Sequence, residues 1–169
     1  MEAKTHIAIA IIFSIFGFLV LGTDMKLRTL DALLWIGIFS MVPNIDRRVL
    51  KLRGRSFTHS LVFALMVFAI LYIPSMLIGG NGGYAYNFIG LEGALFASLG
   101  IVSHIFADSL TSSGVPVLYP IYGRKHFHFP YIGPRLRLED NFKSDRIQIA
   151  AVIVVILLLI VDILDYFVI

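Results

Sequence analysis

The sequence predicts an all-α, polytopic integral membrane protein, a bundle of about five transmembrane helices with its N-terminus inside the cell. Hydrophobic residues make up 58% of the 169 residues and charged residues only 15%, whereas soluble domains contain about 25% charged residues. The mean hydropathy is +0.87, and the apolar residues fall into long segments. This length and composition predict a single transmembrane domain over residues 1–169.

Five apolar segments account for the predicted helices, and they occupy residues 6–22, 29–43, 59–79, 88–108 and 147–169. About 20 apolar residues cross a hydrocarbon core of ~30 Å, so four of the segments have the expected length. The second is several ångström too short, because a helix rises only ~1.5 Å per residue. The first segment resembles a signal peptide, but no Ala-x-Ala-like cleavage site follows it, so we expect a retained helix.

The distribution of basic residues predicts the orientation. Apart from Lys26 and Arg28, all of the 14 lysines and arginines lie at the N-terminus, between the second and third segments, or in the long loop 109–146. Five crossings place these stretches on one side of the bilayer, and the positive-inside rule makes that side cytoplasmic. The sequence therefore predicts a multi-pass protein of the cell (inner) membrane, with loop 109–146 inside.

The side chains best suited to bind a metal ion lie at the inner ends of these segments: His6, Asp46, His59, His104 and Asp108. His104 and Asp108 are four residues apart, so on a helix they share one face. Ionisable groups at such positions are costly unless they are compensated. Because the chain has no cysteine, its ligands are imidazole and carboxylate, which suit zinc, manganese or iron. We therefore predict a divalent metal site, with zinc preferred, at the cytoplasmic face.

The loop 109–146 has two interpretations. Aromatic residues interspersed with cations such as Arg124 and Lys125 are typical of the membrane–water interface, and they equally suit a lid over a substrate. For His126 and His128, which lie in this loop, an exposed position is favoured over metal ligation.

Small polar residues adjoin the predicted ligands. Thr58 precedes His59 at a predicted helix start and fits an N-cap role. Ser60 and Ser103 are interpreted either as hydrogen-bond donors to the ligands or as small packing residues.

A family resemblance rests on motifs that share these positions: Thr5-His6, Pro43-Asn44-Ile45-Asp46, Arg55-Ser56-Phe57-Thr58-His59-Ser60, Ser103-His104-Ile105-Phe106-Ala107-Asp108 and Gly114 through Pro120. In this order the chain resembles the YdjM-like membrane-bound metal-dependent hydrolases, small prokaryotic inner-membrane proteins. More distantly, it is similar to zinc-dependent phospholipase C. The resemblance implies that the two carboxylates and three histidines ligate metal, and that the chemistry is hydrolysis of phosphodiester bonds.

Two functional hypotheses follow. In the first, the protein is a metal-dependent hydrolase that cleaves an ester or phosphodiester of a lipid or lipid-linked substrate at the cytoplasmic face. Asp46 and His59 then serve catalysis, and Arg55 binds the substrate's anionic group. In the second, the protein is a non-catalytic, metal-stabilised adaptor that docks a soluble cytoplasmic partner on its basic inner face. Asn44 and Gly54, which replace an aspartate and a histidine of the family pattern, favour the adaptor. Neither hypothesis involves nucleic acid.

Overall fold

The computed structural model of the chain describes residues 3–21, 29–44, 57–78, 88–111, 114–127 and 141–168. Within these ranges lie five α-helices: α1 at Ala3–Leu21, α2 at Thr29–Phe39, α3 at Leu61–Ile78, α4 at Leu91–Ser109 and α5 at Asn141–Val168. Short 3₁₀ turns occupy Val42–Asn44 and Phe57–His59. Over the same ranges there is no β-strand, and one isolated bridge joins Val115 to Phe127. The prediction of an all-α architecture is confirmed.

Helix α4 is the centre of the bundle. It packs against α1, α2 and α3, whereas α5 packs mainly on α1. One face of α4 carries small residues at intervals of three or four, and all of them are buried: Ala94, Ala97, Gly100, Ser103 and Ala107. Small residues let helix backbones approach closely, which is how helices associate where lipid surrounds them.

One such close approach is between α4 and the end of α2. A Cβ atom placed on Gly100 would lie 2.5 Å from the carbonyl oxygen of Ile36 and 3.0 Å from the backbone nitrogen of Ser40. Both neighbours are backbone atoms, so no side chain can rotate away to make room. The absence of a side chain at Gly100 therefore brings the last turn of α2 onto α4.

Large apolar side chains cover the outside of the bundle. Leu19 is 74% exposed, Leu65 69% and Leu77 81%, which suits a surface solvated by lipid. By length and composition, two of the described helices are able to cross a membrane, Lys4–Leu21 and Leu91–Ser109. Three shorter apolar helices accompany them, at Thr29–Asn44, Leu61–Leu77 and Arg146–Val161. Five crossings thus remain a prediction.

The helix ends differ from the predicted segments for local reasons. Helix α3 begins at Leu61 rather than at residue 59 because Ser60 caps it: the Phe63 amide donates to Ser60 Oγ at 3.2 Å. The prediction that Thr58 is the N-cap is therefore wrong. Helix α2 ends at Phe39, ahead of the 3₁₀ turn that contains Pro43. Helix α5 begins at Asn141, within the predicted inner loop.

Candidate metal centre

Three histidines and one aspartate meet at one end of the bundle. His6 lies near the start of α1, His59 in the turn before α3, and His104 and Asp108 near the end of α4. Relative exposures are only 3% for His6, 1% for His59, 0% for His104 and 5% for Asp108. Aspartate is almost never buried this deeply unless a partner compensates its charge. The four residues are thus enclosed together.

Asp108 lies between the three imidazole rings. Its Oδ1 atom is 3.6 Å from His6 Nε2, and its Oδ2 atom is 3.6 Å from both His59 Nε2 and His104 Nε2. These separations are too long for hydrogen bonds. Two ligands held at about 2.0–2.1 Å by a tetrahedral ion lie roughly 3.3 Å apart, close to the observed spacing. Ligand atoms of His6, His104 and Asp108 also lie within 4.8 Å of one another.

The tautomer of His104 follows from its hydrogen bond to α2. Its Nδ1 atom lies 2.7 Å from the carbonyl oxygen of Ser40, which only accepts, so Nδ1 carries the proton and donates. In the neutral ring, Nε2 then has a lone pair, and this atom is the one directed at Asp108. Within the part of the chain that the structure describes, His104 Nε2 is buried and has no hydrogen-bond partner. Buried acceptors without a hydrogen-bond partner are rare, and a bound ion is one way in which such an atom is satisfied.

His59 is oriented through Thr58. The Thr58 hydroxyl donates to the carbonyl oxygen of Pro43 at 3.2 Å, so its oxygen accepts from His59 Nδ1 at 3.1 Å. His59 Nε2 is therefore also a lone-pair atom facing Asp108. The carbonyls of Ser40 and Pro43 both follow directly from the end of α2, so one segment orients two of the three histidines.

Ring packing restrains the histidines further. The His6 and His104 rings stack with their centroids 4.0 Å apart and their planes 15° from parallel. The His59 ring meets His104 edge-on, at 5.2 Å and 66°. The imidazoles are thus held in a fixed relation to each other before any ligand binds, which limits the reorganisation that binding requires.

These donors fit a divalent cation. Two neutral imidazole lone pairs and a carboxylate face one another in a buried space, an arrangement that is unfavourable without a positive charge between them. Imidazole nitrogen and carboxylate oxygen are ligands of zinc, manganese and iron. The residues present therefore fit a divalent cation, and the identity of the metal stays a prediction.

The other candidate residues are distributed differently. Asp46, Arg55, Gly54 and His128 lie outside the described residues. His126 is described; it is exposed in the loop after α4 and does not belong to the buried cluster. Ser60 caps α3, and Ser103 donates within α4 to the Gly100 carbonyl at 2.7 Å, so neither hydroxyl donates to the histidines.

Sequence reasoning did not assign the residues that hold the histidines in place. Ser40 and Pro43 act through backbone carbonyls, which any residue type provides, so no side-chain signal marks them. The position of Thr58 next to His59 could have indicated a hydrogen bond to that histidine, but a hydroxyl before a helix fits a helix cap equally well. Gly100 also had a signal, because it lies four residues before His104 on the same face of α4.

Comparison with known proteins identifies the family of this chain. The model of the YdjM inner membrane protein family matches residues 1–167, so the chain belongs to that family. Inner membrane protein YdjM of Escherichia coli strain K12 is 40% identical over 83 residues, 48% of this chain and 36% of that protein. The protein of the same name in Shigella flexneri matches to the same extent. The chain thus aligns with about a third of the length of these relatives. No solved structure matches it.

Proposed function

We propose that this member of the YdjM inner membrane protein family is a membrane-bound, metal-dependent hydrolase. Its substrate is an ester or phosphodiester of a lipid or lipid-linked molecule at the cytoplasmic face. The observation that carries the proposal is the convergence of three imidazole nitrogens on Asp108, with the buried His104 Nε2 lacking a hydrogen-bond partner in the described residues. A metal site of this composition, at the end of a helical bundle in a membrane, would lie close to lipid headgroups and could hydrolyse their ester or phosphodiester bonds.

The topology is part of the proposal. Five crossings with the N-terminus inside put the start of α1, the end of α2, the start of α3 and the end of α4 on the cytoplasmic side. These are the ends at which His6, Ser40, His59 and Asp108 meet. The uneven distribution of lysine and arginine supports the same orientation.

His6, His59, His104 and Asp108 would hold the ion, and Asp46 would join them. Asp108 would supply the negative charge that binds the cation, and His104 and His59 would supply neutral donors whose orientation is fixed by Ser40 and Thr58 respectively. A bound divalent ion of this type would supply an activated water, since zinc lowers the pKa of a water ligand to about 7. Arg55 would bind the anionic group of the substrate.

Elemental analysis of the detergent-purified protein tests the metal site. We expect a stoichiometric divalent ion in the wild type and its loss in His104→Ala and Asp108→Asn. His126→Ala is the matched control, because His126 lies in the exposed loop and should leave the metal content unchanged. Metal that binds all three variants equally would exclude the cluster as the site.

Thermal unfolding supplies a second readout. A ligand that binds only the folded state at 100 times its Kd stabilises that state by about 2.7 kcal/mol. Chelation should therefore lower the melting temperature of the wild type and of His126→Ala, and should barely change that of Asp108→Asn. The same melting temperature with and without chelator in the wild type would argue against a stabilising metal.

Turnover separates the hydrolase from the adaptor. The metal-loaded protein would be offered phosphodiester and phosphomonoester lipids with zinc or manganese. We expect metal-dependent cleavage that Arg55→Ala abolishes while the metal content stays the same. If the site is fully occupied and no lipid in the panel is cleaved, the adaptor hypothesis is favoured. An adaptor would instead lose its soluble partner when Arg47, Arg48 and Lys51 are neutralised.

A further inference from the structure

The segment after α4, residues 114–127, is attached to the bundle by backbone hydrogen bonds and buried contacts. The amide of Val115 donates to Phe127 O at 3.0 Å, and the amide of Phe127 donates to Val115 O at 2.7 Å, which closes the segment at its base. The first amide of α3, at Leu61, donates to Val117 O at 2.9 Å. The base of the loop is therefore attached to the bundle two residues after His59.

The core holds this base in place as well. Val115 has 0% exposure and packs in one cluster with Ala64 of α3 and with Ile101 and Ile105 of α4. A lid that opens over a substrate needs a base with few buried contacts. The buried anchorage of Val115 therefore favours the interfacial interpretation of this loop over the lid.

The tip of the loop, residues 118–125, exposes large apolar side chains. Ile121 is 72% exposed, Tyr122 64% and Leu118 41%. Backbone hydrogen bonds shape the tip: the Tyr122 amide donates to Leu118 O, and the Gly123 amide donates to Pro120 O, both at 3.2 Å. A turn in water normally carries polar residues. An ordered turn that exposes isoleucine and tyrosine instead matches the boundary between headgroups and acyl chains.

Two cations follow the apolar residues directly. Arg124 and Lys125 are exposed, and no salt bridge joins either of them to another residue within the described ranges. Cations adjoining an inserted apolar surface lie at the level of the lipid phosphates, where they attract anionic headgroups. The neighbouring helix α3 exposes Leu61 and Leu65 at this same end, which indicates that the lipid boundary is adjacent.

We propose that residues 118–125 form a fixed anchor that inserts Leu118, Ile121 and Tyr122 into the bilayer boundary and binds anionic phospholipid headgroups through Arg124 and Lys125. The charge complementarity between these cations and the phosphates selects anionic lipid as the occupant. The anchor does not depend on the metal site, so metal content and turnover test a separate question.

Insertion of the tip is measured with a single label. The chain has no cysteine, so Ile121→Cys takes one environment-sensitive fluorophore in the full-length protein without any other substitution. In proteoliposomes we expect blue-shifted emission and quenching by lipids brominated on the acyl chain. Emission typical of water, together with quenching only by an aqueous quencher, would overturn the proposal and would leave the tip as a surface for a soluble protein.

Headgroup selection is measured by lipid retention. In mixed micelles of phosphatidylcholine and phosphatidylglycerol, the wild type should retain phosphatidylglycerol preferentially. Each cation near an anionic surface contributes about fivefold, so Arg124→Gln combined with Lys125→Gln should reduce the preference by roughly 10- to 25-fold. The charge-conserving pair Arg124→Lys and Lys125→Arg is the matched control and should keep the preference. An undiminished preference in the glutamine variant, with unchanged melting, would refute the role of these cations.

Discussion

The Gly100→Ala substitution tests whether the contact between α2 and α4 positions the metal ligands. The new Cβ atom would lie 2.5 Å from Ile36 O, whereas ordinary van der Waals contact begins at 3.4 Å, so α2 must retreat by roughly 0.9 Å. The hydrogen bond from His104 Nδ1 to Ser40 O, now 2.7 Å long, would stretch toward about 3.6 Å and be lost. One methyl group should therefore release His104 from its orientation.

The magnitude combines two costs. Overpacking of a close helix contact costs about 1–3 kcal/mol, and a buried polar group that loses its partner costs about 1–3 kcal/mol. We expect Gly100→Ala to lower the free energy of unfolding by about 2–6 kcal/mol, measured by denaturant titration in detergent micelles. Loss of the group that orients a ligating histidine should also weaken metal affinity by about 10- to 100-fold.

Gly37→Ala is the matched control on α2. A Cβ atom at Gly37 would meet nothing within 4 Å, so the same chemical change adds no clash. In a helix interior, alanine in place of glycine should stabilise the protein by up to about 1 kcal/mol. If Gly100→Ala proved as stable as Gly37→Ala, or kept wild-type metal affinity, the reasoning about this contact would be refuted.

Two further predictions address the second histidine and the topology. Thr58→Val removes the acceptor of His59 Nδ1 while keeping the side-chain volume. It should weaken metal affinity by about 10- to 100-fold in a competition titration, whereas Thr58→Ser, which keeps the hydroxyl, should bind metal as the wild type does. Equal affinity in the wild type and both variants would contradict the orientation of His59 by Thr58. A topology reporter fused after Ile169 should be extracytoplasmic, and a reporter inserted near Lys51 should be cytoplasmic. If both reporters lie in the same compartment, the predicted second segment does not cross the membrane.

Much of the architecture was predictable because it depends on composition and periodicity. The all-α class follows from apolar segments in a chain with 15% charged residues, since in lipid only helices and closed barrels satisfy their own backbone groups. The helix ends were less predictable, because they depend on individual hydrogen bonds. Ser60 rather than Thr58 caps α3, and both residues have a hydroxyl that suits the role.

Some features of the candidate site likewise follow from the sequence alone, and others depend on the tertiary structure. The sequence by itself determined the donor types, imidazole and carboxylate without thiolate, and the shared helix face of His104 and Asp108, because residue identity and helical period depend on no other part of the chain. Only the tertiary structure decided which nitrogen of each ring faces Asp108. For His59 and His104 that choice depends on carbonyl groups at the end of α2 and on the space left by Gly100. These are contacts between residues far apart in sequence, which no local pattern encodes.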